Sequence, residues 1–388
     1  MSVRPETEVL HIAEGIKDGA APLTRPIYAT STFVFDSAAD LEAYQKGDHT
    51  KYIYSRYANP SVEQVEIKLA ALEGAEAALV TSSGMAAVST ALCGLLRAGD
   101  ELVCSSAIYG GTLHLITSFL ERFGISARFV SLDELASPAS VIGPKTRVVW
   151  FESPINPTLR CVDIAQVAAA CKARGVWSML DSTFASPVNQ QPLKLGIDLV
   201  MHSATKYLNG HSDVTAGALA GSRDLIGKLE PARKLFGGVL EPTAAYALAR
   251  GMKTLGVRVA RQNETAARVA EWCERDPRIA RACYPGLASH PDHSIARKQM
   301  TGFGGMLTID VAGGYPAVCR MFDRLKVIQR AASLGGVESL CSLPVLTSQF
   351  GFSDEQLAQA GVTRGMMRIS IGLEHADDLI ADLDQALS

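Results

Sequence analysis

The chain has 388 residues, with 37 Lys and Arg against 40 Asp and Glu, a formal net charge of -3 and no long basic or acidic block. That balance gives no support for nucleic-acid binding or for docking on an anionic membrane, both of which call for a basic surface. Hydrophobic residues at 47 % and charged residues at 20 % describe a globular chain of two or three domains with a large core, not a disordered one.

Met1 to Leu10 carries Arg4, Glu6 and Glu8 and lacks an apolar core, so it does not read as a signal peptide; a cytoplasmic location is expected. Periodicity is weak over residues 1–58, and Ala21-Pro22-Leu23-Thr24-Arg25-Pro26 reads as extended chain, so this part is expected to be an N-terminal arm lying on another surface. From about residue 60 short apolar runs alternate with amphipathic stretches. Val62 to Leu72 predicts a helix ending at Gly74, Ala77 to Val80 a strand, and Met85 to Leu96 a helix. Ala77 to Leu96 is the most apolar segment, but Thr81-Ser82-Ser83-Gly84 breaks it, which suits a strand–turn–helix and not a membrane span. Further strands are predicted at Glu101 to Cys104, Ala127 to Val130, Arg147 to Phe151, Val176 to Leu180 and Asp198 to Met201, with helices at Leu113 to Arg122 and Ile164 to Ala173. Doubly buried strands separated by helices imply an α/β domain with a mostly parallel sheet, assigned to 59–250. A long helical pattern, Thr243 to Arg275, leads into a smaller α+β domain at 251–388. It has strands at Met306 to Val311 and Met367 to Ile371, a helix after Tyr315 and a closing helix at Asp377 to Leu387. The eight cysteines include no C-x-x-C pair and read as reduced and mostly buried, without a zinc site.

Several motifs fall at predicted strand ends. In Thr81-Ser82-Ser83-Gly84-Met85-Ala86 the amides of Gly84, Met85 and Ala86 open a helix, which makes an anion site. Tyr109-Gly110-Gly111-Thr112 places an aromatic ring where it can lie over a planar group. Glu152-Ser153-Pro154-Ile155-Asn156-Pro157 aims Asn156 into the same rim. Asp181 closes one strand, and Ser203-Ala204-Thr205-Lys206-Tyr207 follows the next. Taken alone, Lys206 reads as a surface lysine, Gly84 as an ordinary turn, Tyr109 as a surface turn and Arg368 as a rim ion pair. Together, an amine flanked by hydroxyls, a carboxylate and a phosphate cradle at the carboxyl ends of parallel strands are the parts that hold pyridoxal phosphate.

The order of the motifs goes further. YSRYANP (Tyr54 to Pro60), SSGMAA, YGGT, ESPINP, DSTF, HSATKY, GHSD, SLGGVESL (Ser333 to Leu340) and RISIGLE (Arg368 to Glu374) together resemble the Cys/Met-metabolism pyridoxal-phosphate enzymes along essentially the whole chain. That family includes methionine γ-lyase, cystathionine γ-lyase, cystathionine γ-synthase and the O-acylhomoserine sulfhydrylases. The resemblance implies the aspartate-aminotransferase-like fold type I, and a homotetramer of two tight dimers with shared active sites. It implies that Lys206 holds the cofactor, Asp181 pairs with its ring nitrogen and Tyr109 stacks on the ring. Gly84, Met85, Ser203 and Thr205 would bind the phosphate, joined by Tyr54 and Arg56 of a partner subunit; Thr183 and Asn156 complete the cofactor set. Arg368 would grip the substrate carboxylate, aided by Asn156 and Ser333. Tyr109 is the implied acid for the departing group, and Lys206 the base.

The resemblance also bears on the substrate. Members acting on cystathionine usually carry an acidic residue before the YSR tyrosine and a glutamate before SLGG. Here those places hold Ile53 and Ala332. Two apolar residues suit a thioether methyl better than a second charged amino-acid end. This implies a carbon–sulfur lyase eliminating from methionine. The alternatives are cystathionine γ-lyase, or γ-replacement by a cystathionine γ-synthase or sulfhydrylase. Gly111 stands where bacterial methionine γ-lyases commonly have cysteine, and Ser348-Gln349-Phe350-Gly351 departs from the family's threonine–histidine pair. A non-catalytic pyridoxal-phosphate-binding protein is the more distant reading, opposed by intact Lys206, Asp181, Tyr109 and Arg368.

Overall fold

The structure, a computed structural model, describes residues 3–14, 22–48 and 50–388. Met1 of the supposed non-signal segment and Ala21 of the extended stretch lie outside them. The chain in 3–58 is not wholly irregular, because short helices form at Pro5–His11 and Ala38–Gln45.

Seven strands form the large sheet: β1 Ala77–Thr81, β2 Glu101–Ser105, β3 Ser126–Val130, β4 Thr146–Glu152, β5 Trp177–Asp181, β6 Leu199–His202 and β7 Gly217–Gly221. Their order is β1-β7-β6-β5-β4-β2-β3. The β3, β2, β4, β5 and β6 run is parallel, whereas β7 is antiparallel to both neighbours. Side chains alternate between two buried layers. Leu102, Trp150, Met179 and Leu199 face the helices Gly84–Leu95 and Arg223–Phe236. Val103, Val149, Leu180 and Val200 face the helix Ile164–Arg174. Burial on both faces is why these strands read as continuous apolar runs.

β7 and the helix Arg223–Phe236 are additions to the predicted elements. β7 is Gly-Ala-Leu-Ala-Gly, with little branched or aromatic content, and it is small for a reason: a Cβ on Gly217 would stand 2.1 Å from the Ser83 carbonyl oxygen. The glycine at 217 lets the Ser83–Gly84 turn approach the sheet. The helix carries Pro231 in its interior, and its amphipathic face packs on Gly84–Leu95.

A second sheet has the order β10-β11-β12-β9-β8, formed by β8 Ile279–Cys283, β9 Met306–Val311, β10 Gln329–Arg330, β11 Leu340–Ser342 and β12 Met366–Ser370. The long predicted helical pattern is two helices, Pro242–Met252 and Leu255–Arg275. Arg258 explains the break, since its guanidinium takes the carbonyls of Gly251 (2.9 Å) and Tyr207 (2.9 Å) and so anchors the second helix beside the Lys206 turn. The second helix, with Gly314–Arg324 and Ala376–Leu387, closes a core over β9 and β12. The two sheets meet where Thr308 of β9 donates its hydroxyl to the Pro157 carbonyl at 2.6 Å, next to Asn156. All eight cysteines are free, and six are buried. Among the described residues no helix is long and apolar enough to cross a membrane.

Candidate active site

The carboxyl ends of β1, β2, β4, β5 and β6 open on one cavity of about 580 Å³, closed from the other side by the second sheet. Gly84, Met85, Tyr109, Asn156, Asp181, Thr183, Ser203, Thr205, Lys206, Ala332, Ser333 and Arg368 all line it. Three predicted residues do not. Arg56 donates to the Lys234 carbonyl at 3.1 Å and lies over the Tyr57 ring at 5.0 Å, with Tyr54 beside it. The Ile53 carbonyl is tied to the Phe33 amide. Within one chain these three sit apart from the cavity.

Lys206 leaves the turn after β6, and its Nζ donates to Ser333 Oγ at 2.9 Å. Burial, and then the positive charge of Arg368, push its pKa below that of an ordinary lysine. A neutral amine is the form that attacks an aldehyde. Arg368 comes from the middle of β12 and is 9 % exposed. Its Nη1 donates to Asn156 Oδ1 at 2.9 Å and its Nη2 to the Ser333 carbonyl at 3.3 Å. Burial lowers its pKa to about 10, which leaves it charged at neutral pH. These contacts orient the fork and leave further N–H groups for a carboxylate.

Asp181 ends β5 at the level of Glu152 on β4. Burial raises the Asp181 pKa, while bonds from Thr183 and the charge of His202 pull it back. Thr183 does two jobs: its amide donates to Asp181 Oδ1 at 2.9 Å, and its hydroxyl accepts the Ser203 amide at 2.8 Å. Below Ser203, His202 Nε2 bonds Glu73 Oε1 at 2.5 Å, with both side chains buried. That pair anchors the end of β6. The motif reading did not single it out, because its members lie 129 residues apart.

The anion cradle differs in detail from expectation. Ser83 caps the helix by accepting the Ala86 amide at 3.0 Å, so Ala86 is not a free donor. Helix geometry leaves the Gly84 and Met85 amides without intrahelical acceptors. The Thr205 hydroxyl exchanges hydrogen bonds with the backbone of Ala216, at 3.1 and 2.9 Å. Turning it toward a ligand means giving those up. At Gly111 a Cβ would stand 2.5 Å from Tyr109 Cε1, so the Tyr109 ring occupies the space a larger residue there would need. Glu152 is the charged lining residue that motif reading left without a role. Its Oε1 accepts the Tyr109 amide at 2.6 Å.

This donor set fits pyridoxal phosphate. Asp181 and Glu152 form a buried acidic floor suited to a ring N–H, Lys206 supplies the amine, and the Gly84–Met85 amides with Ser203 supply an anion cradle.

Comparison with known proteins agrees. The sequence model described as Cys/Met metabolism PLP-dependent enzyme matches residues 6–388. The chain is 39 % identical over 383 residues to L-methionine gamma-lyase of Pseudomonas putida, covering 98 % of this chain and 96 % of that one. It is 40 % identical over 381 residues to the chloroplastic cystathionine gamma-synthase 1 of Nicotiana tabacum, covering 97 % and 71 %. Cystathionine gamma-lyase from Lactobacillus plantarum, solved with L-serine, superposes with a TM-score of 0.92 at 35 % identity, covering 99 % and 98 %. Fold, site and sequence thus converge, and the chain belongs to the Cys/Met-metabolism family of PLP-dependent enzymes, with fold type I.

Proposed function

We propose that this chain is a carbon–sulfur lyase that eliminates the γ-substituent of methionine and, with one water to hydrolyse the unsaturated product, gives 2-oxobutanoate, ammonia and methanethiol. The observation that carries this reading is the charge inventory of the cavity. Its only charged lining residues among those described are Glu152, Asp181, Lys206 and Arg368. The first two lie at the strand-end floor, and Lys206 and Arg368 are committed to the reacting amino-acid end. Ala332, at the rim beside Ser333, offers no partner to a second ammonium group, so a short apolar thioether suits the mouth better than cystathionine.

Bound pyridoxal phosphate supplies a ring that withdraws electrons from the substrate carbon. The remaining roles belong to the chain. Arg368, braced by Asn156 and the Ser333 carbonyl, holds the substrate carboxylate. Lys206, held at Ser333 Oγ, would take the proton from Cα; a second proton leaves Cβ, so that the Cβ–Cγ double bond forms as the Cγ–S bond breaks. Tyr109 gives a proton to the departing sulfur. Asp181, oriented by the Thr183 amide, would face the ring nitrogen. Gly84, Met85 and Ser203 would hold the phosphate, and Thr205 would join them by giving up its bonds to Ala216.

A homotetramer of shared-site dimers in the cytoplasm belongs to the same reading. Supporting it, Tyr54, Leu23, Val34, Leu235 and Phe236 present exposed apolar surface near the arm and the Arg56 site. Arg56, Tyr54 and Ile53 would then complete the partner's cavity. γ-Replacement, as in a cystathionine γ-synthase, is the second reading, favoured by Gly111, which stands where bacterial methionine γ-lyases commonly carry cysteine. The test is product stoichiometry. Purified protein with methionine should release the three products in equal amounts, and borohydride should fix the cofactor on the Lys206 peptide. Label on Lys194 or Lys228, or no oxo acid from methionine, defeats the proposal.

A further inference from the structure

We propose that Glu152 is a positioning residue that holds Tyr109 over the cavity through the Tyr109 backbone. The inference rests on the reading of this cavity as the pyridoxal-phosphate site. Tyr109 rides on the loop after β2 and opens the helix Gly110–Ser118 without capping it by its own side chain. Its residue is 49 % exposed, so packing alone holds the ring weakly. Glu152 is the opposite case: 5 % exposed, at the rigid end of β4, with Oε1 accepting the Tyr109 amide at 2.6 Å across 43 residues of sequence.

The register adds a second link. Glu152 lies opposite Asp181 on the neighbouring strand. One side chain therefore ties the height of the Tyr109 ring to the level of the carboxylate that faces the ring nitrogen. The Asn156 amide also favours the charged form of Glu152, so two loops converge on one carboxylate. A carboxylate only accepts hydrogen bonds, and it can take amides from both loops at once. Burial and the nearby Asp181 charge oppose that ionisation and raise the Glu152 pKa. Bracing the rim is the task that its contacts supply.

The test separates positioning from plain stability. Glu152→Asp withdraws the carboxylate by one methylene, and Tyr109→Ala removes the ring. Apo-protein of wild type, each variant and the double variant is titrated with pyridoxal phosphate, recording Kd and the induced circular dichroism of the bound cofactor. Losing one hydrogen bond at the loop should raise Kd about tenfold in the Tyr109 background. The dichroism should weaken with it. In the Tyr109→Ala background the same change should move Kd by less than about twofold, because no ring remains to be placed. Equal factors in both backgrounds overturn the proposal. Should Glu152→Asp not fold, Glu152→Gln serves. It keeps an acceptor for Tyr109 but sets an NH₂ group against the second amide, and its smaller effect should also vanish without the ring. Wild-type protein that binds no pyridoxal phosphate overturns the site reading and this inference together. Normal binding with equal factors overturns this inference alone.

Discussion

Replacing Arg368 by Lys keeps a cation on β12 but removes the planar fork. In the structure two guanidinium nitrogens are spent on Asn156 Oδ1 at 2.9 Å and the Ser333 carbonyl at 3.3 Å. An ammonium on a shorter reach cannot hold both and still present two parallel donors to a carboxylate. At least one charge-assisted hydrogen bond to the substrate is lost, about 1.5–3 kcal/mol in a buried site. That corresponds to a fall in kcat/KM for methionine of about 10- to 150-fold. The carboxylate is bound in ground and transition states alike, so most of the loss should appear in KM. Steady-state oxo-acid assays give these constants. A control isolates the cause: 3-(methylthio)propylamine, which lacks the carboxylate, should inhibit variant and wild type with the same inhibition constant. A KM change below about threefold, or an equal weakening of the carboxylate-free amine, refutes the assignment of Arg368 to the substrate carboxylate.

Four further outcomes are expected. Neutral Lys206 becomes more abundant as pH rises, and its lowered pKa moves the midpoint of cofactor capture to the acid side of an ordinary lysine. Arg368→Leu removes the second cause, so stopped-flow capture by apo-protein should show a midpoint at higher pH. Glu73→Leu leaves the buried His202 Nε2 without its partner and should cost about 1–3 kcal/mol, read as a lower thermal midpoint of apo-protein and the release of the β6 end. Arg56→Ala and Lys206→Ala proteins, each impaired, should regain activity when subunits exchange, because one hybrid site then has both wild-type groups; native mass spectrometry verifies that hybrids formed. Ala332→Glu should shift kcat/KM toward cystathionine by pairing its distal ammonium and by desolvating a carboxylate when methionine binds, a polar mismatch worth more than the roughly 1–3 kcal/mol of a methylene-scale contact.

What could be read in advance follows from which interactions are local. Strands buried on both faces announce themselves by composition, which is why β2, β4 and β5 were legible in Leu102-Val103, Val148-Val149-Trp150 and Met179-Leu180. Turn chemistry at their ends was legible too, and it assembled Gly84, Tyr109, Asn156, Asp181 and Lys206 into one rim. β7 was not, because its small residues answer to the approach of Ser83 and not to any local preference. Neither was the break between Pro242–Met252 and Leu255–Arg275, which depends on Arg258 reaching the Gly251 and Tyr207 carbonyls. Partner-dependent details were equally silent: Glu152 on the Tyr109 amide, Glu73 on His202, and the Thr205 hydroxyl engaged by Ala216. Arg56 is a separate case: it lies outside this chain's cavity, on the Lys234 carbonyl, and only the proposed shared site would bring it to a cavity, that of a partner.

The most direct test of the proposed chemistry is the wild-type kcat/KM for methionine and for cystathionine, measured side by side with oxo acid, ammonia and thioether products all followed. The apolar rim at Ala332 predicts the higher value for methionine, with elimination products only. A higher value for cystathionine, or a thioether product formed in preference to oxo acid, contradicts it.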